Sequence, residues 1–263
     1  MLKIYCFIFY VMFFLSSNLL ASDKKGVGLS DLTAASKINS LNLAWYYTWK
    51  PEPIAGVPLD KFVPMVWGGH KLDKQILTLS SKGKVPVLLV INEPNHKKQS
   101  NMSVSKVIDV WPRLLKLTDL ISSPVPAGIL TSWFNKFYKQ AKKKDLKFDF
   151  MAVHIYGSAD PVKFLNKVDA VYAKYKIPIW ITEFSVADWK AKGKPGENKY
   201  SEAEVLAFMK KVLPELELRP FVKRYAWFGA GNKTYKNEQL RTSRLFNKNG
   251  SLTPLGDFYA GFK

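Results

Sequence analysis

The stretch Val85-Pro86-Val87-Leu88-Leu89-Val90-Ile91-Asn92-Glu93-Pro94-Asn95 decides the fold of this chain. Six of its first seven residues are aliphatic, with no polar residue alternating between them. A strand with one wet face alternates; an unbroken aliphatic run reads as a strand buried on both faces, as in a parallel sheet covered by helices. The run ends at Asn92-Glu93-Pro94, where the proline stops the pairing and a carboxylate is delivered at the C-terminal strand end. A second run, Ile177-Pro178-Ile179-Trp180-Ile181-Thr182-Glu183-Phe184, repeats the pattern.

Six further strand candidates lie outside these two runs: residues 25–29, 42–47, 61–67, 121–125, 148–157 and 221–229. Helical patterns stand between most of them. Asp31 is placed to cap a short helix ending at Ser40, Ser103 one over 103–117, and Ser201 with Glu204 forms a capping box. Pro161 and Pro254 sit at first helical positions, and apolar residues recur at helical spacing in 72–81 and 132–144. The connection over 50–60 carries Pro51, Pro53 and Pro58 and no helical period, so a loop is expected there. Eight strands alternating with helices predict an α/β fold, a (β/α)8 TIM barrel over residues 24–263, with the helix between strands 2 and 3 missing. A doubly wound open sheet is the alternative.

Residues 1–22 read as a secretory signal peptide. Lys3 precedes an apolar core, Ile4–Leu15, too short to span a bilayer, and Ala21 offers a small-residue cleavage point. The expectation is a secreted, periplasmic or extracellular protein with no integral membrane segment after cleavage, and a monomer. The sole cysteine, Cys6, lies in that segment, which excludes a disulfide framework, a thiolate nucleophile and a cysteine metal site from the remainder. Lys and Arg number 40 against 21 Asp and Glu, a net charge of +19. Basic charge favours anionic surfaces, but no nucleic-acid recognition module is present and no nucleic-acid partner is expected. His70, His96 and His154 lack metal-ligand spacing, so neither a metal nor an organic cofactor is expected.

Glu183 follows Glu93 by ninety positions. That is three strand–helix units of roughly 30 residues, which matches the separate count of strands 4 and 7. Both carboxylates then stand at the C-terminal mouth, where they can converge on one bond. Two carboxylates without a metal or a nucleophilic triad point to glycosidic bond cleavage, which needs a proton donor and a second carboxylate at the oxocarbenium-like centre. His154 and Tyr156 end strand 6 beside Glu183 and are candidates to hydrogen-bond it; a satisfied strand-end histidine is the structural alternative. Trp45, Trp67 and Trp227 fall near strand ends and could stack on sugar rings or fill the core.

Asn92-Glu93-Pro94 with a later strand-end Glu183 resembles the clan of retaining glycosidases with acid/base on strand 4 and nucleophile on strand 7. The ordered set Trp45-Tyr46-Tyr47-Thr48-Trp49, residues 62–68 (Phe62 to Gly68), Asn92–Asn95, Gln99–Ser103, His154-Ile155-Tyr156-Gly157, residues 180–184 and 224–228 is similar to glycoside hydrolase family 128, endo-β-1,3-glucanases related to fungal alkali-sensitive-linkage proteins. The resemblance implies a retaining enzyme with β-1,3-glucan as its polysaccharide partner. It implies Glu93 as acid/base, Glu183 as nucleophile, Asn92 on the sugar 2-hydroxyl, His154 and Tyr156 orienting Glu183, and aromatics lining subsites. A glycosidase on another β-linked glycan and a non-catalytic polysaccharide-binding barrel are the rival readings. Val90-Ile91 departs from the family's usual Gly-Phe before Asn-Glu-Pro, and Ile155 stands where the family has an aromatic.

Overall fold

The computed structural model describes residues 22–29, 34–194, 196–231 and 237–263. Of the expected signal segment only Ser22 falls within them, and the Asp31 cap lies outside the described residues. Eight strands occur among the described residues: β1 (Lys25–Gly28), β2 (Trp45–Tyr47), β3 (Met65–Val66), β4 (Val85–Asn92), β5 (Thr118–Val125), β6 (Met151–Gly157), β7 (Ile179–Val186) and β8 (Val222–Trp227). The helices are α1 (Ala34–Ser40), α2 (Leu72–Ser80), α3 (Val104–Leu115), α4 (Ser132–Lys143), α5 (Pro161–Tyr175), α6 (Glu202–Leu218) and α7 (Pro254–Gly261).

Every ladder between named strands is parallel, in the orders β2-β1-β8-β7-β6 and β3-β4-β5. Single parallel bridges, Tyr46 to Phe62 and Ser122 to Phe150, join the two groups. Neighbour relations therefore pass through all eight strands in chain order and return, the order of a (β/α)8 barrel rather than of an open sheet. Between β2 and β3 the described chain holds only a 3-10 turn, Leu59–Lys61, as the prolines there lead one to expect. Strand β3 is shorter than its sequence suggests, and β5 is longer. The faint signal of β5 comes from Ser122 and Ser123, which are polar yet buried. Their hydroxyls accept from the Val90 and Ala152 amides, 3.0 and 3.1 Å away, and so carry inter-strand bonding where the ladders are irregular.

Alternation divides the apolar residues into two layers. Trp45, Met65, Leu89, Phe150, Trp180 and Ala226 fill the barrel interior, and Arg224 lies over the Trp180 ring at 4.4 Å. Tyr46, Val66, Val90, Val153, Ile181 and Trp227 face outward against helix residues such as Trp111, Phe137, Val168 and Val212. Full burial of each aliphatic side chain contributes about 1.5–3 kcal/mol. Side chains cap five helix starts: Ser103, Thr131, Asp160, Ser201 and Thr253. Two adjacent lysines bind the opposite ends. Lys24 Nζ donates to the Leu216, Glu217 and Arg219 carbonyls at the end of α6, and Lys25 Nζ to those of Tyr259, Ala260 and Phe262 at the end of α7. No helix among the described residues is long and apolar enough to cross a membrane.

Candidate active site

Regular alternation would not bring both glutamates to the mouth; two irregularities do. Trp180 faces the interior, so Glu183, three residues on, would face outward in an unbroken strand. The β6–β7 register instead steps from Val153 opposite Ile181 to His154 opposite Glu183, and the extra residue turns Glu183 inward. In β4 the register shifts twice, between Leu88 and Asn92. Ile91 takes φ +53° and Glu93 φ +42°. A left-handed β-branched residue costs about 1–3 kcal/mol. Here it sends Ile91 into the outer layer and leaves Asn92 and Glu93 lining the mouth. The Glu93 amide, bonded to the Val125 carbonyl at 2.7 Å, fixes the turn.

His154 Nδ1 lies 2.9 Å from Glu93 Oε1 and 3.5 Å from Glu183 Oε2. The histidine expected to orient Glu183 thus sits between the two carboxylates and bonds more closely to Glu93. Glu183 Oε1 accepts from the Trp49 indole at 2.8 Å, and the Tyr47 hydroxyl, also bonded to the Thr182 carbonyl, lies 3.3 Å from it. Glu183 Oε2 accepts from the Tyr156 hydroxyl at 2.5 Å. Oxygens of both glutamates and the His154 nitrogen all fall within 4.8 Å of one another. Three such groups could ligate a metal ion; their oxygens already accept from an indole, two phenols and an imidazole, a donor set suited to carboxylates that handle protons and charge.

Burial drives the Glu93 carboxyl upward in pKa, but the His154 hydrogen bond and the charges of His154 and His96 outweigh it, and the group lies below its usual 4.5. Burial drives His154 downward, and the Glu183 charge with the Glu93 bond and charge outweigh it, so the imidazole lies above its usual 6.5. Tyr47 and Tyr156 are pushed well up by burial and then by the Glu183 charge, which keeps both as neutral donors.

The mouth opens as a cavity of about 1000 Å³ lined by Trp49, Trp67, Asn92, Glu93, Tyr156, Glu183, Trp189 and Phe228. Asn92 is buried; its amide nitrogen is 3.4 Å from Gln99 Oε1, and its Oδ1 has no partner among the described residues. A buried orphan acceptor lining a cavity is a place for a ligand donor. Trp67 lines the cavity. Trp45 and Trp227 correct the expectation that they stack on sugars: both are wholly buried. Trp45 begins β2 instead of ending it and packs on Trp180 below the mouth, while Trp227 points outward onto Phe184 and Phe208.

Tyr47 and Trp49 were not among the expected site residues. They lie two and four positions beyond Trp45: Tyr47 ends β2 on its inward side, where strand alternation could have found it, and Trp49 stands two residues past the strand end at φ +58°. Gly28 makes room for them, since a Cβ there would stand 2.6 Å from the Trp49 ring and 3.0 Å from Tyr47. Trp189, 55% exposed, meets Tyr156 edge to face at 5.6 Å; a lone tryptophan after a strand carries no signal in sequence.

Residues 26–259 match the glycosyl hydrolase catalytic core family. The chain is 26% identical to alkali-sensitive linkage protein 1 of Schizosaccharomyces pombe over an alignment of 263 positions that covers 90% of its length and 44% of that relative's. Among solved structures it resembles a family 128 subgroup I endo-β-1,3-glucanase from Amycolatopsis mediterranei in complex with laminaritriose, with TM-score 0.78, 28% identity, and 91% and 99% of the two chains covered. A subgroup II endo-β-1,3-glucanase from Pseudomonas viridiflava gives TM-score 0.71 and 28% identity over 92% of this chain and 98% of that one. At 24% identity and TM-score 0.72, an exo-β-1,3-glucanase from Cryptococcus neoformans shares the fold over 91% of this chain and all of that one.

Proposed function

Because the chain belongs to the glycosyl hydrolase catalytic core family, we propose that it cleaves internal β-1,3-glucosidic bonds by double displacement, with Glu93 as acid/base and Glu183 as nucleophile. The observation that carries this reading is that one oxygen of Glu93 and one of Glu183 lie within 4.8 Å of each other, both beside His154 Nδ1. Retaining pairs stand about 5–5.5 Å apart, whereas inverting pairs need about 6.5–9.5 Å to admit a water. The β-1,3-glucan reading is supported by the endo-β-1,3-glucanases that share the fold, one of them holding laminaritriose.

In the first step Glu93 gives its proton to the glycosidic oxygen as a Glu183 oxygen bonds to the anomeric carbon, and the leaving sugar departs. In the second, Glu93 takes a proton from water, the water oxygen bonds to the anomeric carbon, and the ester to Glu183 breaks. Trp49 and Tyr156 hold the two Glu183 oxygens, so neither the attack nor the departure requires the carboxylate to search for its position. The unpaired Asn92 acceptor suits the sugar 2-hydroxyl. Trp67, Trp189 and Phe228 offer ring faces and edges to the pyranose chain. The basic, apolar start of the chain favours export.

The test is hydrolysis of laminarin, cello-oligosaccharides and chito-oligosaccharides by the purified protein. Cleavage of laminarin alone is expected. Cleavage of another glycan in its place favours the second glycosidase reading, and binding without cleavage favours a polysaccharide-binding barrel.

A further inference from the structure

The cleft carries charge that a neutral glucan does not need. Apart from Glu93 and Glu183 the mouth cavity is lined by one carboxylate, Glu52, and by three lysines, Lys50, Lys71 and Lys74. None of the three has an ion-pair partner among the described residues. Lys71 closes the 3-10 turn before α2, and Lys74 follows one helical turn later, with Thr78 a further turn on; all three line the cavity, so this flank of the cleft is a helix face. Gln75, on the same face, accepts from the Gly68 amide at 3.1 Å and ties the helix to the end of β3. Two neighbouring cavities share lining residues with it. One shares His70 and Gln99 and adds Lys97, Lys106 and Arg113 with Asp73 and Asp109; the other shares Trp189 and Asn237 and adds Lys190 and Lys192 with Glu238.

An ammonium is a strongly hydrated point charge, and a neutral hydroxyl returns little of that hydration. Unpaired cations along a cleft with low-dielectric walls focus a positive potential and concentrate anions. Resting on the glucanase reading above, we propose that the cleft takes β-1,3-glucan chains bearing anionic substituents, carboxylate, sulfate or phosphate, recognised by Lys50, Lys71 and Lys74. The substituent lies beside the reacting bond and takes no part in its cleavage.

The experiment compares kcat/KM on laminarin with kcat/KM on lightly carboxymethylated and lightly sulfated laminarin of the same length, at low and high salt. Three ion pairs, each worth a factor of roughly 1.5 to 5, predict about a 10-fold preference for the anionic chains at low salt. The preference disappears near 1 M salt, where the screening length falls to about 3 Å. Preference for only one derivative distinguishes carboxylate from sulfate, and a lightly phosphorylated laminarin run beside them tests phosphate. The double variant Lys71→Gln/Lys74→Gln lowers the anionic-to-neutral ratio, and Lys71→Arg/Lys74→Arg restores it. Equal kcat/KM on all four polymers, indifferent to salt, overturns the inference while leaving the glucanase reading intact. Should laminarin itself go uncleaved, the glucanase reading fails instead, and equilibrium binding of the same polymers decides the inference: salt- and lysine-dependent binding of the anionic chains supports it, and its absence overturns it.

Discussion

His154 offers one ring nitrogen to two carboxylates, 2.9 Å from Glu93 and 3.5 Å from Glu183. Glu93 and His154 therefore titrate as a pair, and in the proposed mechanism the proton that Glu93 delivers is stored on a bond that both share. Since His154 lies above 6.5 and Glu93 below 4.5, the pair keeps one proton across the interval between them. The basic limb of kcat/KM follows the raised imidazole. In His154→Gln the limb moves to lower pH, because Glu93 alone then holds the proton; a pH–rate profile checks it, and an unmoved limb refutes it. The sign for stability is separate. Raising His154 stabilises the fold fully below 6.5, an effect lost as pH rises through the folded pKa. Lowering Glu93 stabilises it fully above 4.5, an effect lost as pH falls through the folded pKa. Both contributions are complete only between the two, so thermal melts of wild type and His154→Gln should differ most there. Tyr156→Phe removes a donor to a carboxylate worth about 1.5–3 kcal/mol, which predicts a fall in kcat of about 10- to 100-fold and, since the bond is already made in the resting fold, a melting temperature lower by several degrees. Glu93 and Glu183 could be picked out of the sequence because each ends an aliphatic run. The His154 bond to Glu93 could not, since it depends on which way one ring turns.

The elements that hold these residues are strained or crowded where the site is built. At β1, Gly28→Ala would press a methyl group against the Trp49 ring and push the indole away from Glu183. Activity should fall by an order of magnitude or more, by the loss of about 1.5–3 kcal/mol of charge-assisted bonding, while the melting temperature falls by only a few degrees. Lys25 makes the opposite case, remote from the mouth. Lys25→Met leaves the Tyr259, Ala260 and Phe262 carbonyls without their donor and should destabilise the protein by about 2–4 kcal/mol, read by denaturant unfolding, with kcat unchanged in the folded fraction. Helix starts such as Ser103 and Ser201 with Glu204 were readable because capping is local chemistry. Bulges were not. Nothing in Ile181-Thr182-Glu183 announces the extra residue that turns Glu183 inward, and Val90-Ile91 gives no sign of the left-handed turn at Ile91.

Across the whole molecule, the barrel was legible because strand and helix patterns alternate eight times, and the separation of Glu93 from Glu183 in chain units carried their convergence. The tryptophans were harder. Trp45 and Trp227 stand near strand ends in sequence, yet one fills the barrel floor and the other the layer beneath the helices. Which face a residue occupies depends on register, and register is a property of neighbouring strands. Two carboxylates brought together at one barrel mouth should retain configuration as they cleave a β-1,3-glucan. Proton NMR of laminarihexaose during the first turnovers tests it directly. The newly formed reducing ends should appear first as the β-anomer and mutarotate afterwards; initial release of the α-anomer would rule out double displacement.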